Sequence, residues 1–147
     1  MRLFLAGILL AVLTALPARA AELIRVESPY SVAKTTDRLA AAVEAAGAKV
    51  FARVPHSKGA ASIGTEIPDN MLLIFGDPKM GTPVIDAAPT AGLDLPLRVV
   101  IFDDGGQTVM VYRDPASLST DHGLPADHPT IAAMTGALAK LTAKAAE

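Results

Sequence analysis

Three histidines, His56, His122 and His128, are the side chains of this sequence whose ordinary titration lies nearest neutrality. Imidazole also ligates transition metals, so His56 and His122 with a carboxylate such as Asp94 have the right types for a three-ligand metal site or for acid/base work. No HxH or HExxH spacing joins them, and only the fold can bring such distant segments together. Within Asp121-His122-Gly123-Leu124-Pro125 the plainer role of His122 is to hold a turn by hydrogen bonding. Met71, Met80, Met110 and Met134 are spread through the chain without MxxM or HxxM clustering, as core methionines are. The absence of Cys excludes thiol chemistry, and no serine stands in a G-x-S-x-G context.

Two other segments set polar groups among apolar ones. Phe75-Gly76-Asp77-Pro78-Lys79-Met80-Gly81-Thr82-Pro83 follows an apolar run directly. If a helix starts near Thr82, its free N–H groups with Lys79 beside them form an anion pocket; a tight corner with Lys79 in solvent is the simpler reading, with Asp77 able to cap the turn. In Gly92-Leu93-Asp94-Leu95-Pro96-Leu97-Arg98, Asp94 and Arg98 stand among leucines just before and inside a strand. They form either a structural ion pair or a place for a ligand carboxylate. The orientation of Arg98 depends on a hairpin register. If Phe102 lies opposite Gln107, Leu97 pairs with Tyr112, and Arg98 and Tyr112 face opposite ways; one bulged residue brings them to one face.

The elements that must position these residues follow from periodicity. A first strand over Leu23–Glu27 ends at Ser28-Pro29; Ser31 caps a helix from Val32 to Ala46 with Leu39, Val43 and Ala46 along one face, and Gly47 stops it. Lys49–Val54 is a second strand closed by Pro55, and Ser57–Gly64 is a short helix or a loop. Met71–Phe75 is continuously apolar, which predicts a third strand covered on both faces. Leu97–Phe102 and Thr108–Tyr112 flank Asp103-Asp104-Gly105-Gly106, a hairpin signal. A closing helix runs from Pro129 to Ala145 with Ile131, Met134, Leu138 and Leu141 on one stripe. The order predicts an α+β two-layer sandwich: a mixed or mainly antiparallel sheet of about five strands, helices on one face. A doubly wound α/β fold is disfavoured by the tight hairpin.

The 147 residues are 51% hydrophobic and 19% charged, with a formal charge of −2 and no basic block, so a nucleic-acid partner is not expected. Met1-Arg2, the apolar Leu3–Leu16 and Ala18-Arg19-Ala20 have the order of a secretory signal peptide over residues 1–20, leaving residues 21–147 as a single domain. The apolar run is shorter than the roughly 20 residues a bilayer span needs, so no membrane attachment is expected after cleavage. The expected location is periplasmic or secreted, where the lack of Cys avoids an unpaired thiol.

Ser28-Pro29-Tyr30-Ser31, Arg53-Val54-Pro55-His56 with Gly59-Ala60, Leu73-Ile74-Phe75-Gly76-Asp77-Pro78-Lys79 with Gly81-Thr82-Pro83, Asp94-Leu95-Pro96-Leu97-Arg98, Tyr112 and His122-Gly123-Leu124 together resemble the DUF302 family, a domain of unknown function. The resemblance covers essentially the whole chain after the leader. It implies a TT1751-like, TATA-binding-protein-like α+β fold and a homodimer, and it supplies no catalytic residue and no cofactor. It draws His56, Lys79, Thr82, Asp94, Arg98, Tyr112 and His122 together as the expected lining of a small-molecule pocket. The chain departs from the family pattern at Val54-Pro55 before the first His and at Asp77, where the pattern often has Asn; the Asp77 charge beside Lys79 weakens a purely anion-binding role for that loop. The leading expectation is a small-ligand-binding domain. The alternatives are a histidine-dependent metal protein or enzyme built on His56, His122 and Asp94, and a homodimeric interaction module without ligand.

Overall fold

The structure, a computed structural model, describes residues 23–147; the expected leader lies outside the described residues. Alternation of apolar Ile24 and Val26 with charged Arg25 and Glu27 makes β1 (Leu23–Ser28) a strand, and Ser31 then caps α1 (Val32–Ala45) by accepting from the Lys34 N–H. β2 (Lys49–Pro55) leads into α2 (His56–Ser62), so the small-residue stretch is a short exposed helix. β3 (Asn70–Gly76) is followed by α3 (Pro78–Ala87) and a 3-10 turn (Pro89–Leu93). β4 (Leu97–Asp104) and β5 (Gln107–Arg113) form the hairpin, and α4 (Ser117–His122) and α5 (Pro129–Ala146) complete the chain.

The five strands form one sheet in the order β1-β5-β4-β3-β2, with every neighbouring pair antiparallel. The expected two-layer α+β sandwich is therefore present, with a wholly antiparallel sheet. The hairpin closes on a two-residue turn: Asp104 pairs with Gln107, and Gly105 and Gly106 take φ of +65° and +98°. A two-residue loop needs positive φ at both central positions to match the strand twist, and glycine reaches it without strain. Phe102 thus pairs with Val109, not Gln107, and Val100 with Val111, without a bulge. Arg98 and Tyr112 consequently point to opposite faces.

One face of the sheet carries the core. Ile24, Tyr112, Val99 and Leu73 form one cross-strand row, and Val26, Met110, Ile101 and Met71 the next. Leu39 and Val43 of α1 and Leu138 of α5 pack onto these rows, and Leu39, Val43, Leu73, Val99, Ile101 and Met110 are fully buried. Burying a side chain of this size stabilises by roughly 1.5–3 kcal/mol relative to leaving it exposed. α5 is held to α1 at its C-terminal end: Arg38 donates from Nε to the Ala145 carbonyl and from Nη2 to Lys144. Cations near the last turn offset the negative end of the helix dipole. The Tyr30 ring lies under Lys34 and Arg38, 4.1 and 4.6 Å from its centroid.

The opposite face departs from the expectation that β3 is covered on both sides. Leu73 and Phe75 are buried under helices, but Leu72 and Ile74 are only half-buried, as are Val100, Phe102 and Val111 beside them. The reason is topological: α1 and α5 both return over the same face, and the hairpin needs no crossover helix. Arg25 bridges from β1 across β5 to Asp104 of β4, above Val109.

A second apolar cluster lies beyond the ends of β3 and β4. Val84 of α3, Ala91, Leu95, Leu118 of α4, and Ile131 and Met134 of α5 are all buried in it. It fixes the loops that carry the candidate site.

Candidate functional site

Asp94 follows the 3-10 turn at the mouth of β4, and its carboxylate joins two elements. Oδ1 accepts from Arg98 Nη2 at 2.9 Å, and Oδ2 lies 2.9 Å from His122 Nε2 at the end of α4. A carboxylate only accepts, so Nε2 carries the proton. In the neutral ring Nδ1 then accepts from the Thr90 hydroxyl at 3.0 Å. The His122 side chain is 6% exposed and that of Asp94 27%, so this is a sheltered polar chain running Thr90, His122, Asp94, Arg98. α4 ends at Gly123 with φ +68°, a left-handed stop that aims His122 back toward Asp94.

A hydroxyl, an imidazole and a carboxylate in series are the parts that activate a nucleophile. Here Thr90 is exposed and lines neither of the two cavities at this end of the molecule. The chain instead borders a cavity of about 370 Å³ between the end of the open sheet face and the β5–α4 connection. Asp94 and Arg98 line it from one side, Tyr112, Arg113 and Ser117 from the other, and Leu72, Val100 and Val111 form its apolar floor. Burial lifts the Tyr112 phenol above its ordinary range; the Thr142 hydroxyl partly opposes this and the Asp114 charge adds to it.

A second cavity, of about 250 Å³, lies on the helical side of β4 and shares Leu97 with the first. Its walls include Phe51, Phe75, Met80, Ile85 and Met134, with Asp77 and Thr82 as its polar members.

Of the expected site residues, Asp94, Arg98 and His122 form one hydrogen-bonded chain, and Tyr112 lines the adjoining cavity. Thr82 belongs to the second cavity. Lys79 is exposed and lines neither cavity. The helix begins at Pro78, not near Thr82, and Asp77 caps it by accepting from the Lys79 N–H at 2.9 Å. The simpler reading of this segment, a tight corner capped by Asp77 with Lys79 in solvent, is the one present, and the anion-pocket alternative is not. His56 lies toward the other end of the sheet: Pro55 pairs with Met71 while Leu97 pairs with Phe75, about 14 Å further along β3. The proposed set of His56, His122 and Asp94 does not converge, and among the described residues no group of three His, Cys, Asp or Glu side chains is placed to hold a metal ion.

Arg113, Asp114 and Ser117 were not singled out by the sequence. Their signal is the two-residue glycine turn, since the register it sets puts Arg113 on the face of the Val100–Val111 pair, toward the cavity that Arg98 lines.

This architecture and cavity define an antiparallel α+β sandwich with a ligand-sized cleft at one sheet end. A family described as "Domain of unknown function DUF302" matches residues 24–141, and the chain belongs to that family. A solved structure of the "uncharacterized conserved protein DUF302 from Bacillus stearothermophilus" superposes with a TM-score of 0.77, covering 84% of this chain and 97% of that one. At 18% identity it shows the shared fold. Among curated proteins, the chain is 42% identical over 117 residues to "Fluoride-specific ion channel FluC 1" of Brucella suis biovar 1 (strain 1330) and to the protein of the same name of Brucella abortus biovar 1 (strain 9-941). The aligned segment is 78% of this chain but 46% and 43% of those relatives, so the chain spans less than half their length. No helix among the described residues is long and apolar enough to cross a membrane.

Proposed function

We propose that this DUF302 domain binds a small ligand in the 370 Å³ cavity beside Asp94, Arg98 and Tyr112. The observation that carries the reading is the Thr90–His122–Asp94–Arg98 chain, which fixes a charged wall beside an apolar floor. Binding sites have this composition: apolar area for affinity and a few rigidly held polar groups for orientation. The leader-like residues 1–20 support export to the periplasm or outside the cell. In the channel relatives we assign transport to the part outside the aligned segment, because no helix among the described residues here is long and apolar enough to cross a membrane. The present domain is then a water-exposed binding module that such proteins join to a transporter.

The test is native mass spectrometry of the untagged protein from the exported fraction, with and without a chelator. A retained organic mass that survives chelation and is absent from Asp94→Ala is the expected result. A chelator-sensitive mass near that of a transition metal would overturn the reading in favour of a metal protein.

A second reading, a homodimer, is favoured by the half-exposed apolar face of Leu72, Ile74, Val100, Phe102 and Val111. The same spectrum reports it as a doubled mass, and Ile74→Arg should convert that dimer to a folded monomer. A wild-type mass of one chain at micromolar concentration would remove this reading.

A further inference from the structure

Hydrogen-bond accounting around the cavity specifies its ligand more narrowly. The β4–β5 ladder ends at the Val100–Val111 pair; Arg98 and Arg113 lie two residues beyond it, each on the same face of its strand as that pair, and both line the cavity. Each guanidinium meets one carboxylate: Arg98 Nη2 donates to Asp94 at 2.9 Å, and Arg113 Nη1 to Asp121 at 3.4 Å. Arg98 Nη2 also donates to the Leu93 carbonyl. A guanidinium has five N–H donors, so most of the donors of this pair have no acceptor among the described residues.

The acceptors nearby are largely committed. Asp94 has both oxygens engaged, by Arg98 and His122, and Asp114 Oδ1 accepts from the Ala116 N–H and the Thr135 hydroxyl. Ser117, which lines the same cavity, is 8% exposed, and its Oγ has no hydrogen-bond partner. A buried hydroxyl left unpaired costs stability and is uncommon in native proteins. Both guanidiniums are about half-exposed, so their remaining donors face water and can exchange it for a partner rich in acceptor oxygens, which the unpaired hydroxyl also favours over the Asp114 carboxylate in the same lining.

The floor adds the second requirement. Leu72, Val100 and Val111 are apolar and only half-buried. A volume of about 370 Å³ holds roughly a dozen water-sized groups, far more than a bare halide fills.

We propose that the cavity takes an amphipathic organic anion, a carboxylate on a short aliphatic body. Its oxygens accept from Arg98 and Arg113 and from the Ser117 hydroxyl, and its hydrocarbon lies on Leu72, Val100 and Val111. The proposal rests on the cavity being a ligand site and names the class of ligand.

The experiment is calorimetric titration of the full chain with octanoate, octanol, octylammonium and sodium fluoride, repeated on Arg113→Met, Arg98→Met, Ser117→Ala and Lys58→Met. Octanoate is expected to bind, and octanol and octylammonium to bind at least tenfold more weakly. Each arginine substitution should weaken octanoate about tenfold or more, the effect of one charge-assisted hydrogen bond. Ser117→Ala should weaken it too while leaving Tm unchanged or higher, a combination that a structural hydroxyl would not give and that does not depend on the arginine variants folding. Lys58→Met, which removes a cation elsewhere, should bind as wild type. Octanol binding as tightly as octanoate, with the arginine variants unaffected, would overturn the anionic class and leave the cavity as a ligand site. Silence of all three octyl probes to millimolar concentration would overturn both. Fluoride binding without octanoate binding would overturn the amphipathic ligand in favour of a simple anion site.

Discussion

Asp94 is the residue on which the site turns, because two groups lose a partner if it is removed. Asp94→Ala leaves His122 Nε2–H without an acceptor inside a sheltered pocket and releases Arg98 into the cavity. A buried donor deprived of its acceptor costs about 1–3 kcal/mol, and that loss is the expected shift in urea denaturation. Asp94→Asn keeps an acceptor oxygen and should lose less. Tyr112 gives a prediction with a sign. Its phenol is held above the ordinary range by burial, so the native state resists ionisation while the unfolded state ionises near pH 10. The stability tied to the neutral phenol is thus present in full below about pH 10 and is lost as pH rises toward the elevated native value. Tyr112→Phe should flatten that alkaline decline, as measured by urea midpoints across the range. The Asp94–Arg98 pair was legible in the sequence, because opposite charges among leucines at the head of a strand require an answer. The link to His122 was not, since it joins residues 28 apart through the packing of α4 beside the 3-10 turn.

At the scale of elements, caps and turns set the geometry that the site inherits. Asp77 caps α3 and satisfies the Lys79 N–H, so Asp77→Ala should cost about 1 kcal/mol in thermal or urea unfolding. A smaller loss would mean that the packing of Val84 alone fixes the helix start. The Gly105-Gly106 turn matters more for function than its exposed position indicates. It sets the β4–β5 register up to the Val100–Val111 pair, and a slip of β5 by one residue would send Arg113 to the helical face. Gly106, at φ +98°, should tolerate Ala poorly, with a loss of roughly 1 kcal/mol or more. The strands, the hairpin and the long helices α1 and α5 were legible because their apolar periods and stop signals are strong. α3 and α4 were not, because α3 carries Gly81 and two prolines and α4 is a six-residue run dominated by small polar residues, and both are stabilised by the second apolar cluster more than by their own propensity.

For the whole molecule, the consequence of placing the helices on one face is a core on one side and a half-exposed apolar surface on the other. Leu73 is fully buried between β2, β4 and α1, and Leu73→Ala should destabilise by about 2–5 kcal/mol in denaturant titration, the range for a large core side chain replaced by Ala. Val100 lies on the same strand as core residues Val99 and Ile101 but on the open face, so Val100→Ala should cost far less. Similar costs at the two positions would mean that the open face is covered in solution. What the sequence by itself determined was the class of fold, the five strands with their hairpin, the long helices α1 and α5, and the family, since each depends on local order: hydrophobic period, capping residue, glycine turn, motif. The tertiary structure alone decided that Asp94 holds His122 as well as Arg98, that His56 stands apart from them, that the corner at Lys79 is the capped, solvent-exposed one and not an anion pocket, and that Arg113 and Ser117 complete the cavity. Those pairings depend on strand register and on which face each helix returns to, and both are fixed by the burial of apolar surface between segments distant in the chain.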